Sequence, residues 1–161
     1  LCINGTIDTI DAKYGNIQPL EFHQKYVSKN LPLLIRNGAS HWSAVNKWSI
    51  KHFRKNIPDK NVTVAVTPNG YADAIVFDDK TEREYFVMPE ERTMKMSMFL
   101  DYLENPEKDQ IVYIQQQNSN FQNVFYEFKN DVQELKWATE AFAKSPDAIN
   151  FWMGEERAIT S

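Results

Sequence analysis

The sequence predicts an α+β fold, and three observations carry that expectation. Runs rich in β-branched or apolar residues, LPLLIRNG at 31–38, NVTVAVTP at 61–68 and DQIVYIQQQ at 109–117, have strand character. Between them lie stretches with apolar residues at helical spacing, of which MKMSMFLDYLEN at 94–105 is the plainest. The two kinds of element alternate without the regular rhythm of a βαβ series, which leaves an α+β domain or a helix-flanked β-sandwich.

Residues 1–15 alternate weakly and read as extended or irregular. Pro19 suits the first turn of a helix, and Leu20, Phe22, Tyr26 and Val27 follow at roughly helical spacing. LPLLIRNG is nearly continuous in apolar residues and ends in Asn37-Gly38, the pattern of a buried strand. Ser40 suits the cap of a helix anchored by Trp42, Val45, Trp48 and Phe53, with a restart at Ser49 as the alternative. NVTVAVTP stops at Pro68 and Asn69-Gly70, residues 71–84 are polar and loop-like, and EYFVMP at 84–89 reads as a strand.

In MKMSMFLDYLEN, the residues Met96, Phe99, Leu100 and Leu103 share one face, and Pro106 stops the helix; methionines in such a stripe fill cores. Residues 121–144 read as a loop followed by a helix anchored by Leu135, Trp137 and Phe142. The end of the chain, NFWMGEERAITS, reads as a strand at 150–154, a turn at 155–157 and a return strand at 158–161.

Composition narrows the classes of function. Among 161 residues, 42% are hydrophobic and 25% charged, and the formal net charge is −4. That suffices for a core and gives no basic surplus for a phosphate backbone, so no nucleic-acid partner is expected. No apolar run approaches the roughly 20 residues of a membrane-spanning helix, so no membrane partner is expected either. Cys2 is the one cysteine, which rules out an intrachain disulfide and a multi-thiolate zinc site. A reducing compartment follows as the expectation, cytoplasmic with the nucleus as an additional location. A chain that opens on Leu1-Cys2 without methionine is expected to have lost residues before them.

Local motifs supply no complete catalytic site. A two-histidine, one-carboxylate iron site needs its ligands on a shared face, and His23, His41 and His52 stand in the triplets HQK, HWS and HFR, with no carboxylate two positions on. Ordinary surface or packing roles suit all three. HExxH, phosphate-loop and serine-elbow patterns are absent.

One strand carries a pattern of its own. Alternation in IVYIQQQ puts Ile111, Tyr113, Gln115 and Gln117 on one face and Val112, Ile114 and Gln116 on the other. The first face lacks charge and carries hydrogen-bonding groups. It is either a solvent-facing side or the lining of a cavity for a polar small molecule. In the closing segment Asn150, Trp152 and Gly154 share a face, as do Ala158 and Thr160; buried polar groups there must meet each other or a ligand.

These residues together resemble the N-terminal half of a jumonji-C (JmjC) oxygenase. The broad signals are LPLLIRNGASHWSAVNKWS (31–49) and NFWMGEERAITS (150–161). The more specific ones are VAVTPNGYADA (64–74), FVMPEER (86–92), IVYIQQQ (111–117) and PDAINFWMGE (146–155), while residues 1–18 and 118–136 match poorly.

The resemblance implies a cupin-type double-stranded β-helix (jelly roll), of which residues 1–161 form the N-terminal portion of a single domain with the barrel incomplete. It implies Fe(II) and 2-oxoglutarate as cofactors, with the His-x-Asp iron motif just beyond Ser161 and no metal ligand or catalytic residue within the chain. It assigns the hydroxyls of Tyr113 and Thr160 to the distal carboxylate of 2-oxoglutarate, and Asn150 and Trp152 to the lining of the pocket. Donors to a buried carboxylate are what its desolvation demands.

The activity implied is C3 hydroxylation of a lysine in a protein substrate of the GTP-binding class. Peptidase activity on methylated histone tails is also attributed to this branch, although no protease constellation is visible in these residues. A homodimer is left open. The alternative is a non-catalytic binding module, a truncated or fused fragment without turnover. Because strands left unpaired after Thr160 invite association, the 161 residues alone are expected to be poorly stable as a monomer. A sharp two-state denaturation curve from that isolated monomer overturns this expectation.

Overall fold

The computed structural model describes residues 6–13 and 17–159. In chain order the elements are β1 (Asp8–Asp11), α1 (Pro19–Phe22), a π-helical turn (His23–Val27), β2 (Leu33–Arg36), α2 (Ala44–Lys47) and α3 (Ile50–Asn56). Then follow β3 (Asn61–Thr67), β4 (Ala74–Asp78), β5 (Arg83–Val87), β6 (Glu90–Lys95), α4 (Met96–Glu104) and β7 (Ile111–Ile114). The last are α5 (Asn120–Asn123), a 3₁₀ turn (Tyr126–Phe128), α6 (Lys136–Phe142) and β8 (Met153–Gly154). The chain divides into two compact units, Leu1–Lys47 with Glu127–Asp147, and Trp48–Tyr126 with Ala148–Ser161.

In the first unit β1 and β2 pair in parallel, Asp8 opposite Leu33 and Asp11 opposite Arg36. Pro19 occupies the first turn of α1, where its missing N–H costs nothing. Phe22 sets its ring edge-on to Trp137 of α6, with centroids 4.9 Å apart. Asp131 is nearly buried, and its carboxylate accepts hydrogen bonds at 2.7 Å from both Ser43 Oγ and Lys47 Nζ. Expectation and structure differ here in two places. Leu34 is about half exposed in β2, because a two-stranded pair leaves one face of the strand open. Ser40 caps no helix; its hydroxyl bonds the carbonyl of Asn37.

The second unit is built on a four-stranded antiparallel sheet in the order β6-β3-β7-β8. The row Val62, Val64 and Val66 of β3, continued by Val112 and Ile114 of β7, is almost wholly buried. Helix α4 packs on β3, β6 and β7 and contributes Met96, Phe99 and Leu100, all fully buried, as its apolar stripe predicts. Burial of such side chains is worth about 1.5–3 kcal/mol each. The helix starts at Met96 rather than Met94, because β6 runs to Lys95. Its first N–H groups have no side-chain cap; Met96 donates to the carbonyl of Lys60 at 2.8 Å and Ser97 to that of Pro58 at 2.9 Å. Ser49 does cap α3, accepting the N–H of His52 at 3.2 Å.

Residues 71–84, expected as loop, contain β4, which pairs with β5 from Ala74 opposite Val87 to Asp78 opposite Arg83. The polar residues around Ile75-Val76-Phe77 hid the strand. Edge strand β6 was also unassigned in the sequence; it carries Glu90, Glu91, Arg92 and Lys95, charges that guard a sheet edge.

Among the described residues beyond Gly154 none returns along β8 as a hairpin; Thr160 and Ser161 of the expected return strand lie outside them. Residue Ile159 bridges to Tyr71 in parallel and donates its N–H to the carbonyl of Gly70 at 2.8 Å. Gly70 has φ 88°, and a Cβ there would lie 2.0 Å from the carbonyl oxygen of Arg157, so glycine alone admits this approach.

Asn120 is buried and pairs its side-chain amide with the backbone of Phe151. Its Nδ2 donates to the Phe151 carbonyl at 2.9 Å, and its Oδ1 accepts the Phe151 N–H at 2.6 Å. Around Phe151 pack Phe125, Phe53 and Trp48, at centroid distances of 4.5, 5.4 and 5.5 Å. Replacing Asn120→Ala strands two buried backbone groups. It is expected to lower unfolding free energy by about 2–4 kcal/mol in denaturant melts, whereas Asn123→Ala, on the exposed side of the same turn, is expected to cost less than about 1 kcal/mol.

Candidate functional site

Tyr113 of β7 stands opposite Ala65 of β3 and Gly154 of β8, and Ala65 stands opposite Glu91 of β6. Glu91, Ala65, Tyr113 and Gly154 therefore form one row across the sheet, on one face of its pleat. Both neighbours of Tyr113 in that row are small. A Cβ on Gly154 would lie 2.3 Å from Cδ2 of Tyr113, so the ring rests on bare backbone. Burial raises the phenol pKa above its ordinary value. The hydroxyl makes no hydrogen bond among the described residues, leaving at neutral pH a protonated donor with an unused proton.

Past Ile114 the ladder of β7 ends, and Gln115, Gln116 and Gln117 line a cavity of about 230 Å³. The predicted alternation placed Gln115 and Gln117 together; Gln116 joins them because the backbone leaves the sheet there. Asp73, Met88, Glu91 and Trp152 supply other walls of the same cavity. The amides of the three glutamines and the carboxylate of Glu91 make no hydrogen bond among the described residues. The glutamines take part in both readings of this segment: all three line the cavity, and Gln117 is also exposed to solvent.

The residues expected at the site separate as follows. Trp152, about half exposed, is in the cavity wall. Tyr113, two residues before Gln115, is outside the lining of the cavity. Asn150 is turned elsewhere, its Oδ1 accepting the N–H of Ser119 at 2.9 Å. Thr160 lies outside the described residues. Sequence reasoning missed Asp73, Met88 and Glu91 as wall residues. The available signal was that VAVTPNGYADA and FVMPEER each set an acid close after a β-branched or aromatic run and a proline.

Among the described residues no three His, Cys, Asp or Glu side chains gather as a metal site. A larger cavity of about 650 Å³ in the first unit is lined by Lys13, His41, Glu134, Lys136 and Trp137, among others. It mixes charges of both signs and holds none of the expected site residues.

Residues 19–161 match the family described as cupin-like domain. The chain is 42% identical over 145 residues to the Homo sapiens "Bifunctional peptidase and (3S)-lysyl hydroxylase JMJD7", covering 89% of this chain and 44% of that protein. It is 34% identical over 152 residues to the Dictyostelium discoideum "JmjC domain-containing protein E", covering 88% and 43% respectively. It is 30% identical over 168 aligned positions to the Arabidopsis thaliana "Lysine-specific demethylase JMJ32", covering 100% and 46%. The chain thus spans less than half the length of these curated relatives.

Burial of the neutral phenol gives a pH dependence. Because the folded-state pKa of Tyr113 lies above the unfolded value of 10.0, its contribution to stability is complete below that value and lost as pH rises through the folded one. Tyr113→Phe is expected to flatten the loss of stability above about pH 10 in melts recorded across alkaline pH. Part of the slope remains, because Tyr26 is shifted in the same direction by its own burial. An unchanged slope in the variant contradicts the burial of this ring.

Proposed function

The chain belongs to the cupin-like JmjC family, and from that premise we propose that it forms part of a 2-oxoglutarate- and Fe(II)-dependent protein hydroxylase. The observation that carries the reading is Tyr113, a half-buried hydroxyl with no hydrogen-bond partner among the described residues, whose sheet neighbours are the small residues Ala65 and Gly154. A carboxylate at that face gains a strong, charge-assisted hydrogen bond. The site fits one end of 2-oxoglutarate.

When bound, iron and 2-oxoglutarate supply the activation of O2; the reading takes the iron ligands from beyond Ser161. The chain's own residues have other tasks. Tyr113 donates to the distal carboxylate and holds its proton while doing so. Gly154 fixes where the phenol lies, since any side chain there meets the ring. Trp152 lines the adjoining cavity. Thr160 is the second donor proposed for the same carboxylate.

The finer reading, C3 hydroxylation of a lysine, is supported by the similarity to the human protein, whose name includes (3S)-lysyl hydroxylase. The substrate proposed is a lysine-bearing protein of the GTP-binding class, in the cytoplasm or nucleus, the location favoured by a chain with one cysteine.

Incubation of the full-length protein with Fe(II), 2-oxoglutarate and a lysine-bearing substrate is expected to yield succinate and a product heavier by one oxygen atom. Tyr113→Phe is expected to raise KM for 2-oxoglutarate by about tenfold or more, with a smaller change in kcat, because one hydrogen bond to a charged group is lost. Absence of succinate with every lysine substrate removes the hydroxylase and leaves a binding module in its place.

A further inference from the structure

We propose that the cavity beside Tyr113 is a cation subsite that takes the alkylammonium end of a lysine side chain, with Glu91 and Trp152 as its specificity-determining residues. The proposal deepens the hydroxylase reading and rests on it for the identity of the natural ligand.

The wall chemistry is one-sided. Asp73 and Glu91 bring negative charge, Trp152 brings an aromatic face, and Gln115, Gln116 and Gln117 bring amide oxygens. No lysine or arginine lines the cavity. An ammonium group is attracted to every one of these groups, by charge, by the ring quadrupole and as a hydrogen-bond donor. A carboxylate ligand meets like charge from Glu91 and Asp73, so this cavity disfavours the dianionic co-substrate that Tyr113 suits.

Register sets the two functions side by side. Glu91 and Tyr113 stand on one face of the sheet with Ala65 between them, a separation of about 10 Å at the usual strand spacing. Gln115 comes two residues after Tyr113, just past the end of β7. A lysine side chain with its ammonium in the cavity therefore lies beside the place where a carboxylate would meet Tyr113. The volume of about 230 Å³ is right for the end of one side chain and small for a larger ligand. The Met88 side chain, largely exposed at the rim, offers apolar cover for the methylenes behind the charge.

The test uses the full-length protein without iron, titrated with Nα-acetyl-lysine N-methylamide and with the norleucine analogue, which keeps the carbon chain and lacks the ammonium. The indole N–H resonance of Trp152, assigned by its disappearance in Trp152→Phe, is the readout. Saturable shifts are expected with the lysine probe, and binding about tenfold weaker with norleucine. In Glu91→Gln, an isosteric change at an exposed strand position, the preference for lysine is expected to fall about threefold or more while the melting temperature stays at the wild-type value.

Equal binding of the two probes by the unaltered protein, or an undiminished preference in Glu91→Gln, overturns the subsite. The readout needs no turnover, so it is separable from the hydroxylase reading. Lysine preference without succinate formation removes the hydroxylase and leaves the subsite. Turnover on lysine with a preference that Glu91→Gln does not move removes the subsite and leaves the hydroxylase.

Discussion

The fourth strand of the larger sheet contains only Met153 and Gly154, and a ladder that short cannot hold itself in place. Its position depends on the double hydrogen bond between the Asn120 amide and the backbone of Phe151. The amide imitates a strand neighbour, giving Phe151 a donor and an acceptor where the sheet offers none. With Phe151 fixed, its ring fills the cluster of Trp48, Phe53 and Phe125. Gly154 then falls opposite Tyr113, and Trp152 reaches the cavity wall. The placement of Gly154 and Trp152 at the site follows from that clasp.

The sheet divides its labour between faces. One face carries valines and Ile114 against α4 and supplies the burial that makes the unit fold. The other carries Glu91, Ala65 and Tyr113, with the small residues Ala65 and Gly154 on either side of the phenol. A packed core and a receptive surface therefore lie one peptide plane apart. Movement of β7 relative to β3 would disturb both at once, which ties the geometry of the site to the stability of the core. The phenol is half-buried and has no hydrogen-bond partner among the described residues to use its proton.

Legibility in the sequence followed the range of the interaction involved. Strands β3 and β7 and helix α4 are set by local pattern, β-branched runs and an apolar stripe, and they are where that pattern puts them. Strand β4 escaped, although its partner β5 was read, because Ile75, Val76 and Phe77 are largely exposed and lack the alternation that burial imposes. The end of the chain escaped for a different reason. A strand–turn–strand pattern names no partner, and the partner proved to be the Gly70–Tyr71 loop, available only because Gly70 carries no side chain. Asn120 was least legible of all: a buried asparagine bonded 31 positions away in a segment with weak family likeness. Family motifs brought Tyr113 and Trp152 into view, while Glu91 and Asp73 acquired meaning only when the strands around them were paired.

The ties at the end of the chain also explain why the cavity has defined walls although most of its side chains are exposed. Arg157 pairs with Glu155, whose side chain is almost wholly buried, and donates to the carbonyls of Glu107 and Lys108 at 2.7 and 3.1 Å. Ile159 and the Thr67 hydroxyl hold Gly70 from two sides, the latter accepting the Gly70 N–H at 2.9 Å. The loop that carries Asp73 is thus tied at a glycine to the segment that follows β8. A ligand there meets walls whose spacing is already set. Binding to such a site requires little ordering of backbone, and the rotamers of Trp152, Glu91 and the glutamines bear most of the entropic cost.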